Sequence, residues 1–251
     1  MQIFLGILIP FLGTTLGSAG VFFMRKSLGV SVQRALAGFA AGVMVAASIW
    51  SLLIPAIEQS ENLGKLSFFP ALIGFWVGVL FLLMLDRLIP HLHVGSEQAE
   101  GPKSKLERTT MMVLAVTLHN FPEGMVTFLS GMQDISVGLP IAFAIAIHNI
   151  PEGISVSVPI YYATGNRHRA FAISFLSGLA EPAGAIVGYL LLAPFLNQTV
   201  YGVIFAMIAG IMVYISLDEL LPAAEVYGKH HQAIYGLIGG MFVMAASLLL
   251  L

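Results

Sequence analysis

Eight apolar segments, each long enough to cross a lipid bilayer, dominate this chain of 251 residues. A spanning helix needs about 20 mainly apolar residues in a row. Such segments lie at about 3–24, 35–57, 66–85, 111–132, 135–163, 170–196, 199–217 and 233–251. They are continuous and rich in Leu, Ile, Ala and Gly, whereas the strands of a membrane barrel alternate over about ten residues. The pattern predicts an all-α integral membrane protein with eight transmembrane helices, forming a single membrane domain over residues 1–251.

The composition excludes a water-soluble enzyme. Hydrophobic residues make up 58% of the chain and charged residues only 10%, whereas charged residues form about a quarter of a typical soluble domain. The formal net charge is -2, which provides no basic surface for nucleic acid, so the lipid bilayer is the expected surrounding. Because the chain has no cysteine, a metal ion bound by it must be held by nitrogen and oxygen ligands.

The distribution of Lys and Arg predicts the orientation, because basic residues in short loops stay on the cytoplasmic side. Of the 11 basic residues, only Lys65 falls in an even-numbered loop. The others lie in the loops after segments 1, 3, 5 and 7, at Arg25, Lys26, Arg34, Arg87, Lys103, Lys105, Arg108, Arg167, Arg169 and Lys229. We therefore expect a multi-pass protein of the inner or plasma membrane with both termini extracytoplasmic and a cytoplasmic loop at about 89–109.

A polar motif occurs twice within the apolar segments. The fourth segment contains HNFPEG at 119–124 and the fifth contains HNIPEG at 148–153, while Glu181 occupies the sixth at a similar depth. Ionisable residues inside a bilayer are costly and are functional candidates. His and Glu four residues apart share one helical face, and the proline between them removes a backbone donor and opens the preceding turn. Broken helices at mid-membrane are typical of transporter binding sites.

Charge balance at this level predicts a bound cation. Three carboxylates without a partner would be very unfavourable in the membrane interior, and no Lys or Arg lies at that depth in the sequence. A mixture of imidazole and carboxylate ligands suits Zn²⁺, Fe²⁺ and related first-row ions. The alternative is a kinked core turn in which each His and Glu satisfy each other. A motif duplicated on successive antiparallel helices is also what an inverted repeat around a central site would produce.

The residues at 119–124 and 148–153, together with SGLAEPAG at 177–184, resemble the ZIP metal transporters, and the similarity covers essentially the whole chain. The resemblance implies the eight-helix ZIP bundle with a binuclear metal centre between helices 4 and 5. It implies a first, zinc-favouring site formed by His119, Glu123, His148 and Glu152. It implies a second site formed by Asn120, Asn149 and Glu181, with Glu123 and Glu152 bridging the two.

Two functions remain open at this stage. The favoured one is uptake of Zn²⁺, and also of Fe²⁺, Mn²⁺ or Co²⁺, into the cytoplasm, with divalent ions as cargo and no prosthetic group. The rival is an intramembrane metal-dependent hydrolase in which the same ligands activate a water molecule. The HExxH motif of many zinc hydrolases is absent, which disfavours the rival. A homodimer is compatible with the sequence.

Other residues carry weaker signals. Met44, Ser48 and Ser51 are candidates for lining the pathway, although Met often fills core gaps and Ser allows close helix approach. His91 and His93 are candidates for catching metal at the cytoplasmic face or are plain loop residues. The remaining charged and His residues at segment ends are expected to anchor the helices or lie in loops, namely Asp86, Arg87, Asp218, Glu219, His230 and His231. Glycines at four-residue spacing predict close helix packing, at Gly38, Gly42, Gly74, Gly78, Gly236 and Gly240.

Overall fold

A computed structural model describes residues 2–24, 30–88, 102–133, 135–225 and 230–249. Within these ranges the chain forms eight long helices and no strand, which confirms the all-α prediction. The helices are α1 (Gln2–Ala19), α2 (Val30–Ala47), α3 (Phe68–Leu88), α4 (Pro102–Gln133), α5 (Ile135–Thr164), α6 (Arg167–Gly178 and Ala180–Leu192), α7 (Gln198–Ile215) and α8 (His230–Leu248). Short 3₁₀ turns follow α1, precede α3 and end α6, at Gly20–Phe22, Glu61–Leu66 and Ala193–Phe195.

Two helices continue through a π-helical turn. α2 runs on through Ser48–Leu53 into a last segment at Ile54–Glu58, and α7 runs on through Ser216–Leu220 into Leu221–Glu225. In each case a proline, Pro55 or Pro222, lies just after the π turn. Since proline cannot donate to the carbonyl four residues earlier and its ring crowds that carbonyl, a widened turn accommodates it without ending the helix.

The helix boundaries differ from the predicted segments mainly at the start of α4. This helix begins at Pro102, so residues 102–109 of the expected loop are helical. Proline is well suited to the first position of a helix, and the Lys, Leu, Glu and Arg residues that follow are strong helix formers. In the described part of the chain seven helices are long and apolar enough to span a membrane. The remaining long helix, α4, carries one copy of the polar motif and is not among these seven. His91 and His93 lie outside the described residues.

Glycines hold two pairs of helices in direct backbone contact. A Cβ atom added at Gly38 or Gly42 of α2 would overlap the backbone of Ala233 or Leu237 of α8, respectively. The residue numbers of the contacts increase together along both helices, so α2 and α8 run parallel. α3 and α7 pack in the same parallel manner. The six glycines for which close packing was predicted all lie at these interfaces, which confirms the prediction: Gly38, Gly42, Gly74, Gly78, Gly236 and Gly240.

The other two parallel pairs surround the polar motifs. Gly13 and Gly17 of α1 contact the backbone of α5 at Ala146 and Ile150. α4 and α6 pack in the same way, because Gly184 contacts the backbone of Phe121 and Gly188, one turn further along, contacts the side chain of Met125. Odd-numbered helices thus pair with odd-numbered ones and even with even. This is the arrangement that eight alternating membrane crossings require.

The pairing also relates the two halves of the chain by an approximate twofold axis. Exchanging α1 with α6, α2 with α7, α3 with α8 and α4 with α5 converts the pair α1/α5 into α6/α4 and the pair α2/α8 into α7/α3. Both α2 and α7 carry the π turn and the following proline. Because each exchange joins an odd-numbered helix with an even-numbered one, the repeat is inverted, as in many transporters.

The ends of α1 and α6 contact each other. Arg167 Nη2 donates to the carbonyl oxygen of Met24 at 2.6 Å, and the rings of Phe22 and His168 lie 5.3 Å apart between centroids. The connections after α1 and after α5 therefore lie at the same end of the bundle. This agrees with the grouping of basic residues in odd-numbered loops.

Candidate metal centre

Four side chains of the duplicated motif meet between α4 and α5. One ligand atom from each of His119, Glu123, His148 and Glu152 can be chosen so that all four lie within 4.8 Å of one another. All four residues are at most 1% exposed. Each helix supplies a His and a Glu one turn apart, so the two pairs face each other across the crossing of α4 and α5. The arrangement provides two imidazole nitrogens and two carboxylates around one point.

The two histidines share a single carboxylate oxygen. Nε2 of His119 and Nε2 of His148 each lie 2.7 Å from Oε1 of Glu123. The contact to His148 is a hydrogen bond, whereas the contact to His119 lies outside hydrogen-bond geometry. Both oxygens of Glu152 lack a hydrogen-bond partner among the described residues. The alternative, in which each His hydrogen-bonds only to the Glu of its own helix, is therefore wrong for α5, where His148 bonds to Glu123 of α4.

A second group of polar atoms lies beside these four residues. Asn149 Nδ2 donates to Glu181 Oε1 at 2.9 Å and approaches the Pro10 carbonyl oxygen at 3.3 Å, while Asn120 Nδ2 donates to the Ser177 carbonyl oxygen at 3.4 Å. The amide Oδ1 atoms of both Asn residues and Oε2 of Glu181 have no hydrogen-bond partner in the described part of the chain. Three buried oxygens are thus free to accept a ligand next to the His and Glu cluster.

The prolines of the motif do not break the helices that carry it. α4 continues through Pro122 and α5 through Pro151, in contrast to the broken helices expected there. The interruption lies in α6, at Leu179. Pro182 has no backbone N–H to donate to the carbonyl oxygen of Gly178. The first part of α6 therefore ends at Gly178, and the second part begins at Ala180. Glu181 belongs to the first turn of the new segment.

The glycine that ends each motif brings a further helix to the site. A Cβ atom at Gly124 would overlap the backbone of Glu181 in α6, and a Cβ atom at Gly153 would overlap the backbone of Thr14 in α1. The two contacts are related by the approximate twofold axis, which exchanges α4 with α5 and α6 with α1. The motif therefore supplies both the clustered His and Glu side chains and the close approach of the helices around them.

The amino-acid sequence is similar to those of known zinc transporters. A family model described as ZIP Zinc transporter matches residues 95–248. A zinc transporter ZupT from Streptococcus mutans serotype c is 48% identical over 247 residues, which cover 95% of this chain and 93% of that protein. Proteins of the same name from Chlorobaculum parvum and Clostridium perfringens are 46% and 43% identical, and cover 97% and 100% of this chain.

The chain belongs to the ZIP zinc transporter family. The eight helices of this ZIP protein agree with the fold that the resemblance implied. Membership of a transporter family supports a carrier of metal ions and not the intramembrane hydrolase. The His and Glu cluster thus lies inside a multi-pass membrane protein, and its four side chains are buried.

The weaker candidates of this ZIP protein fall into distinct environments. Met44, Ser48 and Ser51 are all buried, and the hydroxyl of Ser48 donates to the Met44 carbonyl oxygen at 2.7 Å. The hydroxyl of Ser48 is therefore hydrogen-bonded within its own helix.

Asp218 is exposed at the π turn of α7, and His231 is exposed in the first turn of α8. His230 also belongs to α8 and not to a loop.

One residue that contacts the site was not predicted from the sequence. The hydroxyl of Thr14 in α1 donates to Glu181 Oε1 at 2.7 Å, and Thr14 is only 1% exposed. A hydroxyl in an apolar helix is an ambiguous signal, because Ser and Thr commonly donate to a carbonyl of their own helix. The neighbouring Thr15 does so, to the Phe11 carbonyl oxygen at 2.8 Å. Only the packing of α1 on α6 distinguishes the two threonines.

Proposed function

We propose that this ZIP protein carries Zn²⁺ across the membrane, with His119, Glu123, His148 and Glu152 as its first binding site. The supporting observation is that four buried nitrogen and carboxylate ligands lie within 4.8 Å of one another while both oxygens of Glu152 lack a protein partner among the described residues. A buried carboxylate without a partner is very costly, and a divalent cation would remove that cost. Zn²⁺ prefers four ligands of this kind.

A second position extends the proposal to harder ions. Asn120, Asn149 and Glu181 offer oxygen ligands, with Glu123 and Glu152 shared between the two positions. Support comes from the free Oδ1 atoms of both Asn residues and the free Oε2 of Glu181. Oxygen ligands suit harder cations such as Mn²⁺ and Fe²⁺ better than imidazole does. On this basis Fe²⁺, Mn²⁺ and Co²⁺ are additional cargo.

Flux measurement tests the function directly. The purified protein is reconstituted into liposomes that contain a zinc-sensitive dye, and Zn²⁺ is added outside. We expect saturable entry of Zn²⁺ well above that into protein-free liposomes. Entry at the protein-free rate, by protein that remains folded in the liposomes, would exclude zinc transport.

The proposed direction is import into the cytoplasm, with both termini extracytoplasmic. Since the chain has no cysteine, an introduced thiol is the only site for a thiol reagent. In cells, Lys65→Cys should react with a membrane-impermeant maleimide from outside, because Lys65 lies in the exposed turn between α2 and α3. Lys103→Cys should react only after the membrane is permeabilised. The reverse labelling pattern would contradict the orientation.

Replacement of Glu181 is expected to separate the two positions. Glu181→Ala removes one carboxylate and leaves His119 and His148 in place, so Zn²⁺ should still be taken up while Mn²⁺ and Fe²⁺ uptake falls most. Glu181→His offers a softer ligand and should shift the preference back toward zinc. Competitive uptake of the three ions checks this. Equal loss for all three in both variants would mean that the two positions work as one obligatory centre.

The proposal also includes a lipid bilayer around the helices and a homodimer as the assembly. Phe69, Ile73, Trp76 and Leu80 on one side of α3 are each more than half exposed, as expected for side chains that contact lipid. Residues 1–251 are proposed to form a single membrane domain. A homodimer remains a prediction that oligomer analysis in detergent would check.

A further inference from the structure

Thr14 holds one oxygen of Glu181 together with a second donor. Thr14 Oγ1 and Asn149 Nδ2 donate to the same carboxylate oxygen, Oε1, at 2.7 and 2.9 Å. The other oxygen, Oε2, is buried and has no hydrogen-bond partner within the described residues. Two donors on one oxygen fix the rotation of the carboxylate. The free oxygen is thereby presented in one orientation.

The position of Thr14 is itself closely constrained. Its backbone lies against Gly153 of α5, and a Cβ atom at Gly178 of α6 would lie 2.9 Å from the Thr14 Cγ2 atom. Threonine is branched at Cβ and has few allowed side-chain rotamers. With one helix at its backbone and another at its methyl group, the hydroxyl has little freedom to turn away from Glu181.

The approximate twofold axis identifies Thr14 as the counterpart of Glu181. Gly124 contacts the backbone of Glu181, and Gly153 contacts that of Thr14. The same correspondence appears four residues earlier on each helix, where Asn120 donates to the Ser177 carbonyl oxygen and Asn149 approaches the carbonyl oxygen of Pro10. At these equivalent positions, the first half of the chain therefore has a neutral hydroxyl and the second half has a carboxylate. The hydroxyl of Thr14 donates to the carboxylate of Glu181 across the two halves.

From these contacts we infer that Thr14 is a positioning residue for the second metal position, and that it sets how well this ZIP protein accepts the harder ions. The inference rests on the proposed role of Glu181 as a ligand. Hydrogen-bond donors behind a ligand orient it toward the metal, and their loss commonly lowers metal affinity or activity by about 10–100-fold. Thr14 acts through Glu181 and does not itself have to touch the ion.

The test replaces the hydroxyl while keeping the shape of the side chain. Thr14→Val should lower the apparent affinity for Mn²⁺ uptake into proteoliposomes by about tenfold or more, with a smaller loss for Zn²⁺, which the His-containing position still binds. Thr14→Ser keeps the donor and should restore most of the Mn²⁺ affinity. Thr15→Val is the matched control, because the hydroxyl of Thr15 donates only within its own helix; it should transport both ions like the parent protein.

A double-mutant cycle separates positioning from packing. In a Glu181→Ala background, which removes the oxygen that accepts from Thr14, the ratio of Mn²⁺ to Zn²⁺ uptake from an equimolar mixture should already be lowered. Adding Thr14→Val should then change this ratio by less than about twofold, since residues that act through one contact are not additive. If Thr14→Val does not accumulate in the membrane, Thr14→Ala removes the hydroxyl without adding the methyl group that valine puts in its place.

Three results would overturn the inference: a Thr14→Val protein that matches Thr15→Val, a Thr14→Ser protein as defective as Thr14→Val, or an undiminished effect of Thr14→Val in the Glu181→Ala background. Failure of the proposed function would look different. In that case the parent protein would show no zinc flux, or His148→Ala would transport zinc normally, whatever residue occupies position 14.

Discussion

His148→Ala and Glu152→Ala are each expected to reduce zinc uptake to the background of protein-free liposomes. Each variant removes one of the four ligands that lie within 4.8 Å of one another, and three ligands of the first position cannot complete the coordination that Zn²⁺ prefers. Neither substitution touches the glycine contacts that pack α1 against α5 and α6 against α4. Glu152 has no hydrogen-bond partner among the described residues, so its removal also takes away a buried carboxylate that is costly without metal.

Thermal unfolding distinguishes loss of the site from loss of the fold. A ligand that binds only the folded protein raises its stability, so Zn²⁺ should raise the Tm of the parent protein. The two variants should show an unfolding transition but little or no rise on addition of Zn²⁺. His231→Ala, at an exposed position in α8, controls for the loss of a histidine. Wild-type uptake by either His148→Ala or Glu152→Ala would contradict the assignment of the first position.

Gly124→Ala is expected to damage both stability and uptake, although it adds a single methyl group. A Cβ atom at this position would overlap the backbone carbonyl of Glu181, and a backbone cannot move aside as a flexible side chain can. Overpacking of this kind typically costs about 1–3 kcal/mol or more. To relieve the overlap α4 and α6 must separate, which also moves Glu181 away from Glu123. We expect a lower Tm in detergent and a severe loss of zinc flux.

A control within the same protein isolates the effect of the helix contact. Gly239 of α8 has no atom within 4 Å of an added Cβ, and alanine is the better helix former by about 1 kcal/mol. Gly239→Ala should therefore match or exceed the parent protein in Tm and retain its uptake. If Gly124→Ala behaved like Gly239→Ala, the close crossing of α4 and α6 at the site would be wrong.

Much of the site could be predicted from local sequence, because helix geometry alone places His119 near Glu123 and His148 near Glu152. Each pair is separated by four residues, and residues four apart lie on one helical face. The spacing could not show that Glu123 alone receives both histidines while Glu152 is left without a partner. That difference depends on the offset between α4 and α5, which no local rule determines.

The break in α6 shows where a local rule was applied at the wrong place. Proline was expected to open α4 and α5, yet both helices continue through Pro122 and Pro151, whereas α6 is interrupted before Pro182. A proline inside a membrane helix can be tolerated when neighbouring helices satisfy the surrounding backbone. Sequence alone does not reveal which prolines have such neighbours.

The amino-acid sequence by itself determined the helical class, the approximate ends of the membrane segments and the candidate metal-binding residues, because each depends on composition or on spacing within one helix. Only the tertiary structure decided which helices pair, through the glycines that permit backbone contact between α1 and α5 and between α4 and α6. That pairing places Thr14 against Glu181, 167 residues away in the chain. Contacts between distant helices depend on how whole helix faces fit together, and this information is not contained in the spacing of residues along any one of them.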